Sequence, residues 1–558
     1  MIFVTQSLRC FLGWNDIGYT STDLPGATPH MNRYSSLGIK LTHYYAQPSC
    51  TPSRVAMMTG KFPYKNGFQD YELQVDDVIG VPLSNKLMPA YMKDLGYRTV
   101  MFGKWNIGHC NQKYLPHERG FDSFLGYNCP GHGYNDYTCG TGTDLKDMLR
   151  GSATYNESNQ RVMYEWSTGH ENLGTYDTKV YRDLARTAVV NHSTTFAEDG
   201  KPLFMWMAHH GIHSELDTDP DPPEEMLSAE NLEYLDELYA QIDVEDSLEQ
   251  MQLLKLRKTT AAVLQSLDNS LNDLVMTLEE TGLLKNTIIF VNSDNGGNTV
   301  YTRGQPGNNY PLRSLKFGYF EGGVRVPAFI YAPGVLKDYE QGKSYDGLMH
   351  HVDLLATFYG IGGGDVAMLK LTEPDLDSID HWRAIKGDLT SPRDEIIFNL
   401  PRSNVPMNPN STDSAGVAIR IGKYKLLLNH PYDYWFSPIP GPDYHNASMM
   451  MAAECKSDTL SSTYQTENPD CTSQNFLFDL DADPTERVNL YGHMDYLEDE
   501  AFLTARVESL LQNMVVDYGE IVSVAYDKKM NSSHLRNPSD VWSTYDNFVV
   551  PWDCEVIL

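Results

Sequence analysis

Short apolar runs rich in β-branched and aromatic residues alternate along the chain with stretches of helical spacing. The four clearest runs have the length and composition of buried strands and lie at 97–102, 202–208, 287–293 and 326–332. Between the second and third runs, apolar residues recur at helical spacing over 260–280, and Gly282 follows as a helix stop. Strands that alternate with helices in this way are typical of a mostly parallel sheet covered by helices, so the pattern predicts an α/β fold.

The pattern changes past about residue 395. Positions 417–428 alternate as two strands of an antiparallel hairpin around Gly422 and Lys423, and 496–518 has a helical pattern. A stretch rich in Pro, Asn and Ser at 401–414 is typical of a linker or a surface loop. We therefore expect a large domain of residues 1–395 and a smaller α+β domain of residues 396–558 with a short antiparallel sheet and a helix.

The composition narrows the function classes. The 558 residues carry 43 basic and 74 acidic side chains, a formal charge of −31, which argues against binding to nucleic acid. With 41% hydrophobic residues the chain can bury a large core. No apolar run approaches the length of about 18 residues that a membrane span requires, so we expect no span. An anionic ligand would need a local basic pocket, because the overall charge repels it.

Cysteines and sequons bear on the compartment. Among the eight cysteines, two pairs are close in sequence and can form bridges in an oxidising compartment, namely Cys129 with Cys139 and Cys455 with Cys471. No signal segment is visible at the N-terminus. Sequons for N-glycosylation, which favour secretion only slightly, begin at Asn156, Asn191, Asn410, Asn446 and Asn531.

The chemistry concentrates at residues 50–60, which read CTPSRVAMMTG. Cys50 alone would be interpreted as a buried structural thiol. Together with Pro52, Ser53, Arg54 and the closing Thr-Gly, however, the string resembles the signature of the formylglycine-dependent sulfatases. Further strings resemble the same family in chain order, namely LGWNDIGY at 12–19, TPH at 28–30, GKW at 103–105, GFD at 120–122, SDNGG at 293–297, NYPLR at 309–313, EGGVR at 321–325 and LFDLDADP at 477–484. The strings YYAQP at 44–48 and NNYPLR at 308–313 are most similar to the arylsulfatase B subgroup, the N-acetylgalactosamine-4-sulfatases.

The resemblance implies that Cys50 is oxidised to formylglycine by a formylglycine-generating enzyme, which would recognise Pro52 and Arg54 in the unfolded chain. The hydrated aldehyde carries two hydroxyls, so one can attack sulfur while the other later expels sulfate by re-forming the carbonyl. Arg54 would orient this group. A plain nucleophile would leave a covalent sulfate that still needs a second hydrolysis.

Other site residues follow from the same resemblance. Lys104, Lys316 and His213 match family positions that stabilise the negative charge of a sulfate ester. Without the family, each lysine would be interpreted as surface charge and His213 as structural, as His209 and His210 are.

The resemblance also implies a substrate-binding position at Asn106, where the family has histidine, and a Ca²⁺ site. Asp294 and Asn295, together with residue 50, would be oxygen ligands to Ca²⁺. A simple Asp-Asn-Gly-Gly turn explains the glycines of this segment equally well.

The family implies an alkaline-phosphatase-like fold, a large mixed sheet between helices with a smaller C-terminal domain. It also implies hydrolysis of a sulfate ester on a sulfated glycan or glycosaminoglycan in the secretory pathway, secreted or lysosomal. One departure stands against full activity, because Cys10 and Phe11 occupy the places of two aspartates that bind the metal in the family. Either residues 1 to about 11 reflect an incorrect start or splice in the gene, or the chain is a catalytically weak pseudosulfatase or glycan-binding relative.

Overall fold

A ten-stranded mixed sheet organises the larger part of the molecule. The computed structural model describes residues 2–8, 12–69, 72–139, 144–155, 161–213, 222–240, 248–299, 307–401, 416–431, 433–436, 438, 474–512, 538–552 and 554. The strands of all three sheets in the described residues are β1 (Ile2–Leu8), β2 (Ile39–Leu41), β3 (Tyr44–Tyr45), β4 (Arg98–Lys104), β5 (Ser123–Tyr127), β6 (Leu149–Tyr155), β7 (Arg161–Thr168), β8 (Leu203–Ala208), β9 (Thr287–Ser293), β10 (Ala328–Tyr331), β11 (Lys343–Tyr345), β12 (Met349–His350), β13 (Glu395–Asn399), β14 (Val417–Ile421), β15 (Tyr424–Leu428) and β16 (Phe476–Asp479).

Helices separate most of these strands. They are α1 (Pro29–Leu37), α2 (Cys50–Thr59), α3 (Met88–Asp94), α4 (Asp177–Asp199), α5 (Ala229–Ala240), α6 (Leu248–Glu280), α7 (Glu321–Val324), α8 (Leu354–Ile361), α9 (Val366–Thr372), α10 (Trp382–Ile385), α11 (Leu497–Gln512) and α12 (Pro538–Trp542). The predicted helix at 260–280 therefore starts earlier, at Leu248. None of the described helices is both long and apolar enough to cross a membrane.

The large sheet has the strand order β11-β2-β10-β9-β1-β8-β4-β5-β6-β7. The five strands from β9 to β5 run parallel, while β10 and β6 are antiparallel to them on either side. Helix α6 packs with α1, α4 and α5, and α2 packs with α3 and α8. The predicted α/β fold, a mixed sheet flanked by helices, is confirmed, and the predicted strand at 287–293 coincides with β9.

A second, four-stranded antiparallel sheet has the order β13-β14-β15-β16, and α11 packs on β14 and β15. The predicted hairpin is present as β14 and β15, with Gly422 at a φ of 55° in its turn. The predicted linker lies almost entirely outside the described residues, as does the end of the helical pattern past Gln512. The division at residue 395 stays a proposal, and the second sheet begins at Glu395.

The end of the chain returns to the large sheet. Trp542 and Trp552 are buried in the same apolar core as β1 and β8, and a disulfide joins Cys554 to Cys110. The predicted Cys129–Cys139 bridge is present. Cys455 and Cys471 lie outside the described residues.

Candidate active site

The carboxyl ends of the parallel strands place distant residues at one edge of the sheet. Leu8 pairs with Ser293, Gly103 pairs with Ala208, and Lys104 ends its strand beside Tyr127. The segments that follow β8 and β9 therefore leave the sheet next to the end of β4. This edge is where open α/β sheets bind ligands.

Helix α2 presents residue 50 to this region. Ser49 is its extended N-cap, Cys50 is its first residue, and Gly60 ends it at a φ of 66°. Pro52 lies in the first turn, where its missing N–H costs no helical hydrogen bond. The whole helix is buried. Its N-terminus carries partial positive charge, which favours an anion beside residue 50.

The Cys50 sulfur lies against one of the candidate lysines. Lys316 Nζ lies 3.1 Å from Sγ of Cys50. The fold therefore brings together two candidate residues that are 266 positions apart in the sequence.

Arg54 ties three elements together. Its Nη1 donates to the backbone oxygen of Lys104 at 2.8 Å, and its Nη2 contacts Asp294 Oδ2 at 3.1 Å. The guanidinium is buried; burial lowers the pKa of Arg54, and the Asp294 carboxylate opposes that shift. Arg54 therefore fixes α2 against the ends of β4 and β9.

Both candidate lysines are buried, so the interpretation as surface charge is wrong. Lys104 Nζ donates to the carbonyl oxygen of Pro130 and lies 4.0 Å from Glu72 Oε1. Lys316 is held through its backbone N–H, which donates to Gly297 O at 2.9 Å. A buried ammonium is costly unless its surroundings or a ligand compensate it.

Asp294 and Asn295 follow β9 directly and are fully buried. The Asn295 amide Nδ2 donates to Gly296 O at 2.7 Å, but its Oδ1 is buried and has no hydrogen-bond partner in the described structure. An orphaned amide oxygen beside a carboxylate is the type of donor set that Ca²⁺ prefers. The two residues fit as part of a Ca²⁺ site; the other positions discussed for it, Cys10 and Phe11, lie outside the described residues.

The side chain of Asn106 makes hydrogen bonds to other residues of the protein. Its Nδ2 donates to Leu73 O at 3.2 Å and to Asn128 O at 3.1 Å, and its Oδ1 accepts from Thr51 Oγ1 at 2.9 Å. Its φ of 55° suits asparagine better than most residues. The side chain supports the first turn of α2, so any contact to a substrate has to compete with these bonds.

His213 lies at the end of a described segment, beyond β8. Its carbonyl oxygen accepts from Tyr134 Oη at 2.8 Å, and its ring stacks with that of His210 at 5.5 Å between centroids. His209 is fully buried, and burial lowers its pKa to about 4. Among the three histidines of this segment, His210 has the most specific polar contact, at 3.2 Å from Asp177 Oδ2.

Glu72 is a polar residue that the sequence analysis missed. Its Oε2 accepts from the Thr51 backbone N–H at 3.3 Å, and its Oε1 is the carboxylate oxygen near Lys104. Glu72 therefore links the first turn of α2 to the end of β4. Nothing in its sequence context, a loop between α2 and α3, distinguishes it from a solvated acid.

The family of the chain follows from its match to a known family model. The sulfatase family model matches residues 12–364, more than half of the chain. The chain belongs to the sulfatase family. It is accordingly a sulfuric ester hydrolase by family, and the resemblance found in the sequence is confirmed at that level.

Similar proteins cover nearly the whole sulfatase chain. Mouse arylsulfatase J is 29% identical over 549 residues, which are 96% of this chain and 78% of that protein. Mouse N-acetylgalactosamine-6-sulfatase is 25% identical over 530 residues, 93% of this chain and 88% of that protein. The crystal structure of Ps i-CgsB in complex with k-i-k-neocarrahexaose shares the fold, with a TM-score of 0.64 and 20% sequence identity. The match covers 95% of this chain and 98% of that chain. The arylsulfatase B subgroup stays a prediction.

Proposed function

We propose that this sulfatase removes sulfate from a sulfated glycan or glycosaminoglycan through a formylglycine derived from Cys50. The observation that carries the proposal is the buried Lys316 ammonium 3.1 Å from the Cys50 sulfur. A cation at this position has a clear use when an anion binds beside residue 50. The N-terminus of α2 also favours an anion beside residue 50.

The roles of the neighbouring side chains follow from their contacts. Formylglycine at residue 50 would supply, once hydrated, one hydroxyl to attack sulfur and a second to release sulfate. Lys316 donates to the oxygens at residue 50 and to the sulfate that reaches them. Lys104 adds a second buried cation, and Arg54 holds residue 50 and Asp294 in fixed relation. Prearranged charges of this kind stabilise the negative charge that develops as the ester breaks.

His213 and Asn106 complete the proposed substrate side, His213 as a donor to the sulfate or its leaving oxygen. Ca²⁺ would be held by Asp294, Asn295 and residue 50, and it would supply positive charge next to the sulfate. Ca²⁺ takes six to eight oxygens, several of them anionic, and Cys10 and Phe11 replace two carboxylates that the family provides. We accordingly expect weak binding unless further ligands complete the site.

The substrate class rests on charge and on the relatives. N-acetylgalactosamine-6-sulfatase is named for a sulfated amino sugar, and the Ps i-CgsB structure contains a neocarrahexaose. A chain of charge −31 needs the local cluster of Lys104, Lys316 and Arg54 to attract such a polyanion.

We place the protein in the secretory pathway, where it would meet the formylglycine-generating enzyme. The disulfides Cys110–Cys554 and Cys129–Cys139 support an oxidising compartment. Asn191 begins a sequon and is exposed on α4, where a glycan can attach.

A second candidate is a catalytically weak pseudosulfatase or glycan-binding protein, because Cys10 and Phe11 stand where the family has two metal-binding aspartates. The chemical state of residue 50 is the first property to measure, since the proposed hydrolysis requires formylglycine there.

Mass spectrometry of the tryptic peptide ending at Arg54 tests the proposal directly. Protein from a host with the formylglycine-generating enzyme should show a loss of about 18 Da at Cys50 relative to the thiol. The same preparation should hydrolyse an aryl sulfate, with an aryl phosphate as the substrate control and Cys50→Ala as the inactive control. Recovery of residue 50 only as thiol or disulfide from that host would overturn the proposal and support the pseudosulfatase.

A further inference from the structure

Three buried side chains from separate parts of the chain converge beside the candidate site. His132 lies in the loop after β5, Asp177 begins α4, and His210 follows β8. The ligand atoms of the three all lie within 4.8 Å of one another. Asp177 Oδ2 is the common point, 3.1 Å from His132 Nε2 and 3.2 Å from His210 Nδ1.

The contacts of His132 are unusual for a neutral imidazole. Its Nδ1 lies 2.9 Å from the backbone oxygen of Asp147, and its Nε2 faces the Asp177 carboxylate. Both partners are oxygen acceptors, whereas a neutral imidazole has only one N–H. The ring therefore either carries a second proton inside the core or turns a lone pair toward a cation between Nε2 and Oδ2.

The remaining geometry favours the cation. A metal-bound histidine characteristically donates its other N–H to a carboxylate or a backbone carbonyl, as His132 does to Asp147 O. Zn²⁺ bonds of about 2.0–2.2 Å place tetrahedral ligands about 3.3 Å apart, close to the two distances measured here. The ring of Tyr127 stacks on His132 at 3.6 Å and so fixes its orientation.

We propose that His132, Asp177 and His210 bind a divalent transition metal ion of the Zn²⁺ type. Two imidazoles and one carboxylate suit such an ion, whereas Ca²⁺ selects oxygen donors like Asp294 and Asn295. The site is therefore separate from the proposed Ca²⁺ site. Because the ring of His210 stacks on that of His213, the ion would also hold the segment after β8 in place.

Metal titration of the full-length protein tests this site. The protein is stripped with chelator, saturated with Ca²⁺, and titrated with Zn²⁺ by calorimetry and with Co²⁺ by visible absorption. We expect one tight site per chain and a tetrahedral Co²⁺ spectrum without a thiolate band, since Cys129 and Cys139 are joined in a disulfide.

His210→Gln and Asp177→Asn should each weaken Zn²⁺ binding at least 10-fold. The matched control is His209→Gln, a buried neighbour outside the cluster, which should bind as the wild type does. Absence of a tight site in the wild type, or equal affinity in wild type and His210→Gln, would overturn the proposal in favour of a protonated His132 paired with Asp177. If a variant does not fold, the wild-type stoichiometry and Co²⁺ spectrum still decide. Neither readout depends on sulfatase activity.

Discussion

Two buried groups of charges in this sulfatase are compensated by their surroundings in different ways. At the candidate active site, Lys316 contacts the sulfur of Cys50, while Lys104 donates to a carbonyl oxygen and lies 4.0 Å from Glu72 Oε1. In what we call the interface cluster, formed by Tyr45, Glu321, Arg420, Lys425 and Glu486, charges meet charges. Lys425 Nζ lies 3.0 Å from Glu321 Oε1 and 2.9 Å from Glu486 Oε1.

The position of the interface cluster explains the difference. Glu321 begins α7 and Lys425 lies on β15, so the cluster joins the large sheet region to the second sheet. Tyr45 Oη adds a bond of 2.7 Å to Glu321. An ammonium between two carboxylates serves structure, because its charge is already matched. Lys316 instead places its ammonium against residue 50 at the N-terminus of α2, which supports the role in anion binding proposed for it.

The largest expected effect follows from breaking the interface cluster. Lys425→Met leaves two buried carboxylates without the ammonium between them, which should lower the free energy of unfolding by about 3–5 kcal/mol. Lys423→Met is the matched control, since Lys423 lies two residues away and pairs with Asp479 at a half-exposed position. Its cost should be much smaller, because solvent screens an exposed ion pair. Urea unfolding at pH 7.5 measures both, and equal losses would contradict a structural role specific to Lys425.

A lysine-to-methionine change at the candidate active site should instead lower activity and leave stability almost unchanged. Lys316→Met should reduce kcat for an aryl sulfate by about 10²–10³-fold, the usual loss when one prearranged donor to a developing negative charge is removed. Its unfolding midpoint should stay close to that of the wild type, because an apolar side chain of similar volume removes the desolvation cost of a buried ammonium. Lys337→Met, an exposed change of equal charge, is the control. Full activity in Lys316→Met would show that this lysine does not act on the substrate.

The sequence predicts the parts of the fold and site that local patterns encode. The strand at 287–293 and the hairpin around Gly422 have clear alternation or apolar runs, and the 50–60 string singles out residue 50 as the candidate nucleophile. By contrast, β1 reads IFVTQSL, with a polar second half, yet it lies at the centre of the sheet. Tertiary context decides its place, because its neighbours β8 and β9 are distant in sequence.

Long-range pairings escape sequence reasoning for the same reason. Cys110 and Cys554 are 444 residues apart, so no spacing rule connects them. Asp177 lies 45 residues from His132, on a different element, and only the packing of α4 against the sheet brings them together. The family resemblance places Arg54 and Asp294 in one site, but their contact is seen only in the structure, where α2 packs against the end of β9.

The smallest expected effect concerns pH and distinguishes the two carboxylates of the interface cluster. Burial raises the pKa of Glu486 to about 7; the Lys425 ammonium opposes this shift and the Glu321 carboxylate adds to it. Burial also acts to raise the pKa of Glu321, but Lys425 and the neighbouring arginines outweigh it and lower that pKa to about 2. Between its unfolded value near 4.5 and its folded value, Glu486 binds the proton more tightly in the folded state. Its contribution to stability is therefore present at low pH and is lost as pH rises toward 7.

Glu486→Gln should remove the part of the pH dependence of stability that the Glu486 carboxyl group causes. The free energy of unfolding of the wild type, measured in urea at pH 5, 6, 7 and 8, should fall with rising pH more steeply than that of the variant, with most of the difference arising between pH 5 and 7. Buried Asp16 and Asp268, whose pKa values burial raises to about 6 and about 7, change both proteins alike and cancel in the comparison. Glu508→Gln, at an exposed position on α11, should run parallel to the wild type. Parallel curves for Glu486→Gln as well would mean that Glu486 is charged throughout this range and that Lys425 compensates both carboxylates, which would make the interface cluster more fully matched than the pKa shifts indicate.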